Sequence, residues 1–269
     1  MKIGRNTVPR TAISASDEDT IVVRGHDLCR ELIGQVSFTG HFFLLLTGRR
    51  ATPTELAILD ATLVAIAEHG LVPSVQASRM TFAAAPDALQ GAVAAGILGC
   101  GSVILGASET AGRLFHEVDA RMQAGAALDA AALDVVTAWR ADKRAIAGYG
   151  HPLHKRRDPR VDTLFRVARE LRVDAKYLDI AEAVERAIPR VLGKELKLNV
   201  SAAIPAVLLG IGFPLASLRG VPILARTAGL IAHLHEELET PIGFALSYQA
   251  ARDTEYAGEL PQGVTLKRS

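Results

Sequence analysis

The chain is short of cysteine, of aromatic residues and of net charge, and each shortage excludes something. Its 269 residues include two cysteines, Cys29 and Cys100, neither in a Cys-x-x-Cys spacing. Two thiols make no disulfide framework. Aromatic residues are 5% of the chain, while alanine and leucine abound. That bias favours helix, since strands draw on β-branched and aromatic side chains. The formal net charge is +1. A general binder of nucleic acid or of a membrane surface carries a clear basic excess, so any basic patch here must be local. The opening MKIGRNTVPRT lacks the apolar segment of a signal peptide. No stretch approaches an unbroken apolar transmembrane run. A reduced, cytoplasmic setting is expected, with neither nucleic acid nor membrane as partner. His26, His41, His116, His154, His233 and His235 show no ligand spacing with a carboxylate or thiol partner, and no metal is expected. GILGCG and LGIGFP are glycine-rich but lack the dinucleotide-binding spacing.

What is present is enough apolar material for a real core: 49% hydrophobic against 22% charged residues. The polar turn Ser16–Asp19 between short apolar pieces predicts a small hairpin. Helices dominate after it. Thr52, Pro53 and Glu55 form a capping box with proline at the first helical position. Leu56, Leu59, Leu63 and Ile66 then recur at helical spacing, and Gly70 is the expected C-cap, with His69 in the last turn. The small-residue stretch from Pro86 to Gly112 is expected to be deeply buried. Its first part, Pro86–Gly99, is apolar nearly all round and needs a cover on its outer face, which predicts a homodimer. Asp158 and Pro159 start another helix, with Val161, Leu164, Phe165, Ala168 and Leu171 on its apolar face. VPILARTAGLIAHLHEEL gives one more, closed by Pro241. The tail from Asp253 to Ser269 reads as an arm or a disordered end.

The most unusual stretch is AIAGYGHPLHKRRDPRVD, residues 145–162. Gly148 and Gly150 permit positive φ and close approach of a ligand to the backbone. His151 follows at once, and Lys155, Arg156 and Arg157 precede a capped helix N-terminus with Arg160 in its first turn. Such an N-terminus seats anions. The chemical reading is a histidine beside a bound carboxylate, with phosphates held by the basic run. The bland reading, a solvated basic face beside a loop histidine, stands next to it.

At these residues the sequence resembles the citrate synthase family. GYGHPLHKRRDPR is similar to its Gly-Phe/Tyr-Gly-His segment ending in Asp-Pro-Arg. IVVRGHDLCRELIGQVSFTGHFFLLLTGRRATPTE is similar to its N-terminal region, IAEHG to its first substrate histidine, and LARTAGLIAHLHEE to its Ala-Arg-Thr-x-Gly-x-Ile-Ala-His helix. The resemblance implies an all-α, two-domain homodimer, with a large domain of residues 1–112 and 226–269 and a small domain of residues 113–225. It implies no permanently bound cofactor; a coenzyme A thioester and a 2-oxo acid are its small-molecule ligands. Residue by residue, His151 matches the histidine on the reacting oxygen and His69 a histidine on the oxo acid. Arg160 and Arg226 match carboxylate-binding arginines. Gly148, Tyr149 and Gly150 match the loop around the CoA adenine, and Lys155 and Asn199 fall at CoA-contacting positions. Three family features are missing. Ile104 replaces the second catalytic histidine, Ser201 replaces the general-base aspartate after Asn-Val, and the third arginine falls at about Leu246. The citryl-CoA lyase domain of ATP-citrate lyase also resembles this chain: it is similarly short and also lacks that histidine, but it keeps the aspartate. Synthesis needs a base for the thioester methyl group, and Ser201 is a poor one. Cleavage first needs only a base for a hydroxyl, which His151, with an ordinary pKa of about 6.5, supplies. The expected function is therefore carbon–carbon cleavage of a citryl-CoA-like thioester, ahead of condensation and ahead of a binding homologue with little catalysis.

Overall fold

The computed structural model describes residues 9–150 and 157–266. The chain opens with an antiparallel meander, β1 (Ser14–Ser16), β2 (Ile21–Val23) and β3 (His26–Asp27), in the order β1-β2-β3. Ser14 faces Val23, and Val22 faces Asp27. The expected hairpin is its first half, where Asp17 accepts from the backbone N–H groups of Asp19 and Thr20 and closes the turn. A short π-helical turn, Leu28–Leu32, follows.

From Phe38 to Asp253 the described chain is mainly helical, and residues 254–266 carry no helix or strand. α1 is Phe38–Thr47, α2 Pro53–Ala67, α3 Pro73–Ala84, α4 Leu89–Leu98, α5 Gly106–Gln123 and α6 Leu128–Ala141. After the interval come α7 (Pro159–Glu170), α8 (Lys176–Leu192), α9 (Val200–Gly210), α10 (Gly220–Glu239) and α11 (Gly243–Asp253). α2 starts where the sequence predicts, with Thr52 accepting from Glu55 N–H and Glu55 returning to Thr52 N–H. α7 likewise starts at Asp158 and Pro159.

The main core gathers α5, α6, α8 and α9 with parts of α2 and α7 around Phe115, Trp139, Phe165, Ile180 and Val207. α9 runs through it, and Val200 and every residue from Ala202 to Leu208 are buried. The domain boundaries expected at 112/113 and 225/226 fall inside α5 and α10. A second layer packs α3, α4 and α11 with α10. α10 is long and apolar enough to cross a membrane by length and composition. Its Val221, Ala225, Gly229, Leu230 and Leu234 nevertheless lie buried, and it packs on α2, α3 and α4.

One expectation fails here. The segment around α4 is not deeply buried: only Ala92 and Gly96 of that helix are, and Leu98 is 85% exposed. Small residues let α4 approach α10, where Gly96 meets Leu230. They do not by themselves supply a cover for the opposite face.

α10 also touches the end of α2 at backbone distance. A Cβ on Gly229 would collide with the carbonyl of Ala67, whereas one on Gly220 would meet nothing within 4 Å. Gly229→Ala is therefore expected to cost about 1–3 kcal/mol by overpacking, and Gly220→Ala next to nothing. Urea denaturation of both variants checks the contrast; equal effects would contradict it.

At the start of α2 the Arg49 guanidinium, helped by the backbone N–H and hydroxyl of Thr52, outweighs desolvation and holds Glu55 down to about 2. A depressed carboxylate stabilises the fold above its unfolded value and loses that stabilisation as pH falls through its folded value. Stability is thus expected to drop between pH 4.5 and about 2 as Glu55 protonates. Glu55→Gln should flatten that limb in urea titrations. A variant profile parallel to the wild type would assign the acid sensitivity elsewhere.

Candidate active site

The glycine loop lies against the first turn of α9. Gly148 has φ +90°, and a Cβ there would fall 2.9 Å from both the nitrogen and the Cα of Ala202. Only glycine allows the loop this close. Asn199 N–H donates to Gly148 O at 2.9 Å, and Gly150 N–H to Lys197 O at 2.6 Å. Asn199 Nδ2 donates to Gly150 O at 2.6 Å, and its Oδ1 caps α9 by accepting from Ser201 N–H at 2.9 Å. Gly148, Gly150, Asn199 and Ser201, which the sequence spreads over about fifty residues, form one construction. Pro205 follows Ser201 by four positions and offers no N–H, so the Ser201 carbonyl lacks its usual helical donor.

A buried carboxylate ties this construction to α7. Asp158 is 1% exposed. Its Oδ2 accepts from Val200 N–H at 3.1 Å, and its Oδ1 from Arg160 N–H at 3.1 Å. The Arg160 guanidinium grips both oxygens, Nε at 3.0 Å and Nη2 at 2.8 Å. Burial pushes the Asp158 carboxyl up, but Arg160 and the two N–H groups outweigh it and keep the pKa low. Arg160 Nη1 reaches the Ala65 carbonyl in the last turn of α2 at 3.5 Å. Beside it an apolar cleft of about 360 Å³ opens between α2 and α7.

His69 stands at the same end of α2, though not inside it. The helix stops at Ala67 because Glu68 turns extended, with φ −131° and ψ 146°. The expected C-cap at Gly70 is replaced by a side-chain device: Glu68 Oε1 accepts from the N–H groups of His69, at 2.7 Å, and Gly70. Arg226, Gly229 and His233 recur along α10 at spacings of three and four and so share one face. Gly229 touches Ala67, which directs that face towards the end of α2. Arg226 is 5% exposed, and its Nε and Nη1 have no hydrogen-bond partner among the described residues. A buried guanidinium with open donors has the chemistry to take a carboxylate.

Other expected residues fare differently. His151 and Lys155 lie outside the described residues. Arg157 is not free to hold phosphate: Asp162 at 2.9 Å, Glu185 at 3.3 Å and Glu182 at 3.7 Å surround it. Tyr149 turns its ring into the core and donates to Ala181 O at 2.9 Å, so only its backbone borders the loop. Burial raises its pKa far above the phenolic range. Ile104 sits in the turn before α5, followed by Leu105 at φ +61°. Leu246 is on α11, which packs against α3. The sequence reading passed over Glu68 and Gly229. The His-Gly pair after Glu68 and the four-residue spacing from Gly229 to His233 were the available signals.

The model of the family "Citrate synthase, C-terminal domain" matches residues 8–242. The solved citryl-CoA lyase of Hydrogenobacter thermophilus is 34% identical, with a TM-score of 0.82 over 96% of this chain and 98% of that one. The citrate synthase of Acidithiobacillus ferridurans is 27% identical over 76% of this chain and 52% of its own length. The citrate/2-methylcitrate synthase of Bacillus subtilis is 30% identical over 75% of this chain and 53% of its own. The chain thus spans about half the length of these curated relatives and nearly all of the solved lyase. With a family match over most of its length and a helical fold shared with that lyase, the chain belongs to the citrate synthase family.

Proposed function

We propose that this chain is a CoA-thioester carbon–carbon lyase, which cleaves citryl-CoA or a related 3-hydroxyacyl-CoA into acetyl-CoA and a 2-oxo acid. The observation that carries the reading is the position of Ser201. It occupies the first turn of α9 directly under the glycine loop. Condensation would require a carboxylate-strength base there to remove a proton from the thioester methyl group. The near full-length likeness to a citryl-CoA lyase supports the same direction.

In the proposed reaction His151 takes the proton of the tertiary hydroxyl. The oxygen lone pair forms the ketone as the adjacent C–C bond breaks, and the bonding electrons leave as the thioester enolate. That enolate collects a proton from water or from the Ser201 hydroxyl. Arg226 supplies buried donors for one carboxylate, and Arg160, held by Asp158, offers its remaining Nη edge to another. His69 hydrogen-bonds the oxo acid. Gly148, Gly150 and the Tyr149 backbone flank the CoA, with Lys155 as a contact and Asn199 holding the loop in place. The thioester is a substrate, so the reading calls for no resident cofactor and no metal.

Incubation with citryl-CoA is expected to yield acetyl-CoA and oxaloacetate, followed by mass spectrometry. His151→Ala should lower turnover by roughly 10²–10⁴-fold with CoA affinity little changed. Release of free CoA from acetyl-CoA plus oxaloacetate, without citryl-CoA cleavage, would instead establish condensation. CoA binding with no turnover in either assay would establish a binding homologue.

The exposed apolar side chains of the second layer point to a homodimer. Leu89 and Leu98 on α4 and Phe244 and Tyr248 on α11 are all exposed. Light scattering at micromolar concentration is expected to give twice the mass of the chain, and Leu98→Glu to shift it towards one. A wild-type monomer would remove this part of the proposal.

A further inference from the structure

His233 is a partly buried histidine that the proposed chemistry leaves unused. Both its ring nitrogens are shut off from solvent. Nε2 lies 2.9 Å from Glu68 Oε2, and the other oxygen of that carboxylate closes the turn carrying His69. Burial pushes the Glu68 carboxyl up; His233 and the His69 and Gly70 N–H groups outweigh it and keep it ionised. Glu68 itself is half exposed, so on its own it would sample many rotamers and hold the turn loosely.

The histidine is itself braced from behind. Its Nδ1 is 3.8 Å from Glu236 Oε2, an oxygen that Arg79 Nη1 of α3 grips at 2.6 Å. Arg79 Nε holds Glu237 at 2.6 Å, and Arg79 Nη2 donates to Thr240 O at 2.9 Å. Gly229, one turn before His233, lets α10 settle on the Ala67 carbonyl and sets how far the imidazole reaches. A Cβ at Gly229 would also stand 3.2 Å from Glu68 Oε2, so the same glycine clears room for that carboxylate.

We infer that His233 is a positioning residue for His69: through Glu68 it fixes the turn that presents His69 to the oxo acid. The inference rests on the reading of His69 as an oxo-acid ligand. Misplacing a substrate-binding group by about an ångström costs up to roughly 100-fold.

The test uses oxaloacetate and CoA as probes on the full chain, by calorimetry, with thermal unfolding of each variant as a check on folding. His233→Ala is expected to weaken oxaloacetate binding roughly 10- to 100-fold while leaving CoA binding within about twofold. His233→Gln places a donor near the Nε2 position and should recover most of the loss. In a His69→Ala background His233→Ala should cost nothing further, because groups that act through one another are not additive. An undiminished His233→Ala penalty in that background, or equal losses for oxaloacetate and CoA, would overturn the inference while leaving the reading of His69 intact. Should His233→Ala fail to fold, Glu68→Ala, which removes the carboxylate joining His233 to the turn, carries the same comparison. If His69→Ala leaves oxaloacetate binding unchanged, or the wild type binds none, the underlying reading falls and the inference with it.

Discussion

One carboxylate organises the candidate site. Asp158 starts α7, accepts from the first N–H of α9 and fills the fork of Arg160, all from a position sealed from water. An ionised carboxylate so placed is tolerable only because each oxygen meets a donor. Remove it and two helix starts and one guanidinium lose their partner together. The glycine loop, the α9 turn with Ser201 and the orientation of Arg160 all depend on that ionised group. Arg160, in turn, is the link from α7 to the last turn of α2.

The other side of the site is held by charge of a different design. Arg79 and Glu237 are both nearly sealed, and Glu237 also accepts from the N–H groups of Ile242 and Gly243 at the start of α11. A buried pair of this kind adds little net stability over an apolar core, yet removing one partner is severe. Its value lies in register: it fixes how α3, α10 and α11 sit together.

Much of the helical framework was legible in local pattern. Thr52-Pro53-Glu55 and Asp158-Pro159 start helices by chemistry that acts over a few residues, and α10 does end just before Pro241. The glycine loop could be singled out because paired glycines beside a histidine are unusual. What escaped were pairings across sequence distance. Nothing local told that Arg157 would be claimed by Glu182 and Glu185, or that Tyr149 would spend its hydroxyl on Ala181. An apolar helix such as α4 shows that it wants cover but not where the cover lies. The early end of α2 was missed because Glu68 reads as an ordinary helix former until its carboxylate is seen closing the turn.

The lacing of the glycine loop to α9 has a mechanical consequence. Backbone hydrogen bonds run in both directions between residues 148–150 and 197–199, and Tyr149 pairs with Leu198. Any hinge movement of the cleft must carry the loop and the head of α9 as one rigid jaw. On the facing side, α2 packs on both α7 and α9, and Arg160 adds a hydrogen bond to the Ala65 carbonyl. The spacing between Gly148 and Ser201 would therefore stay constant through any such movement.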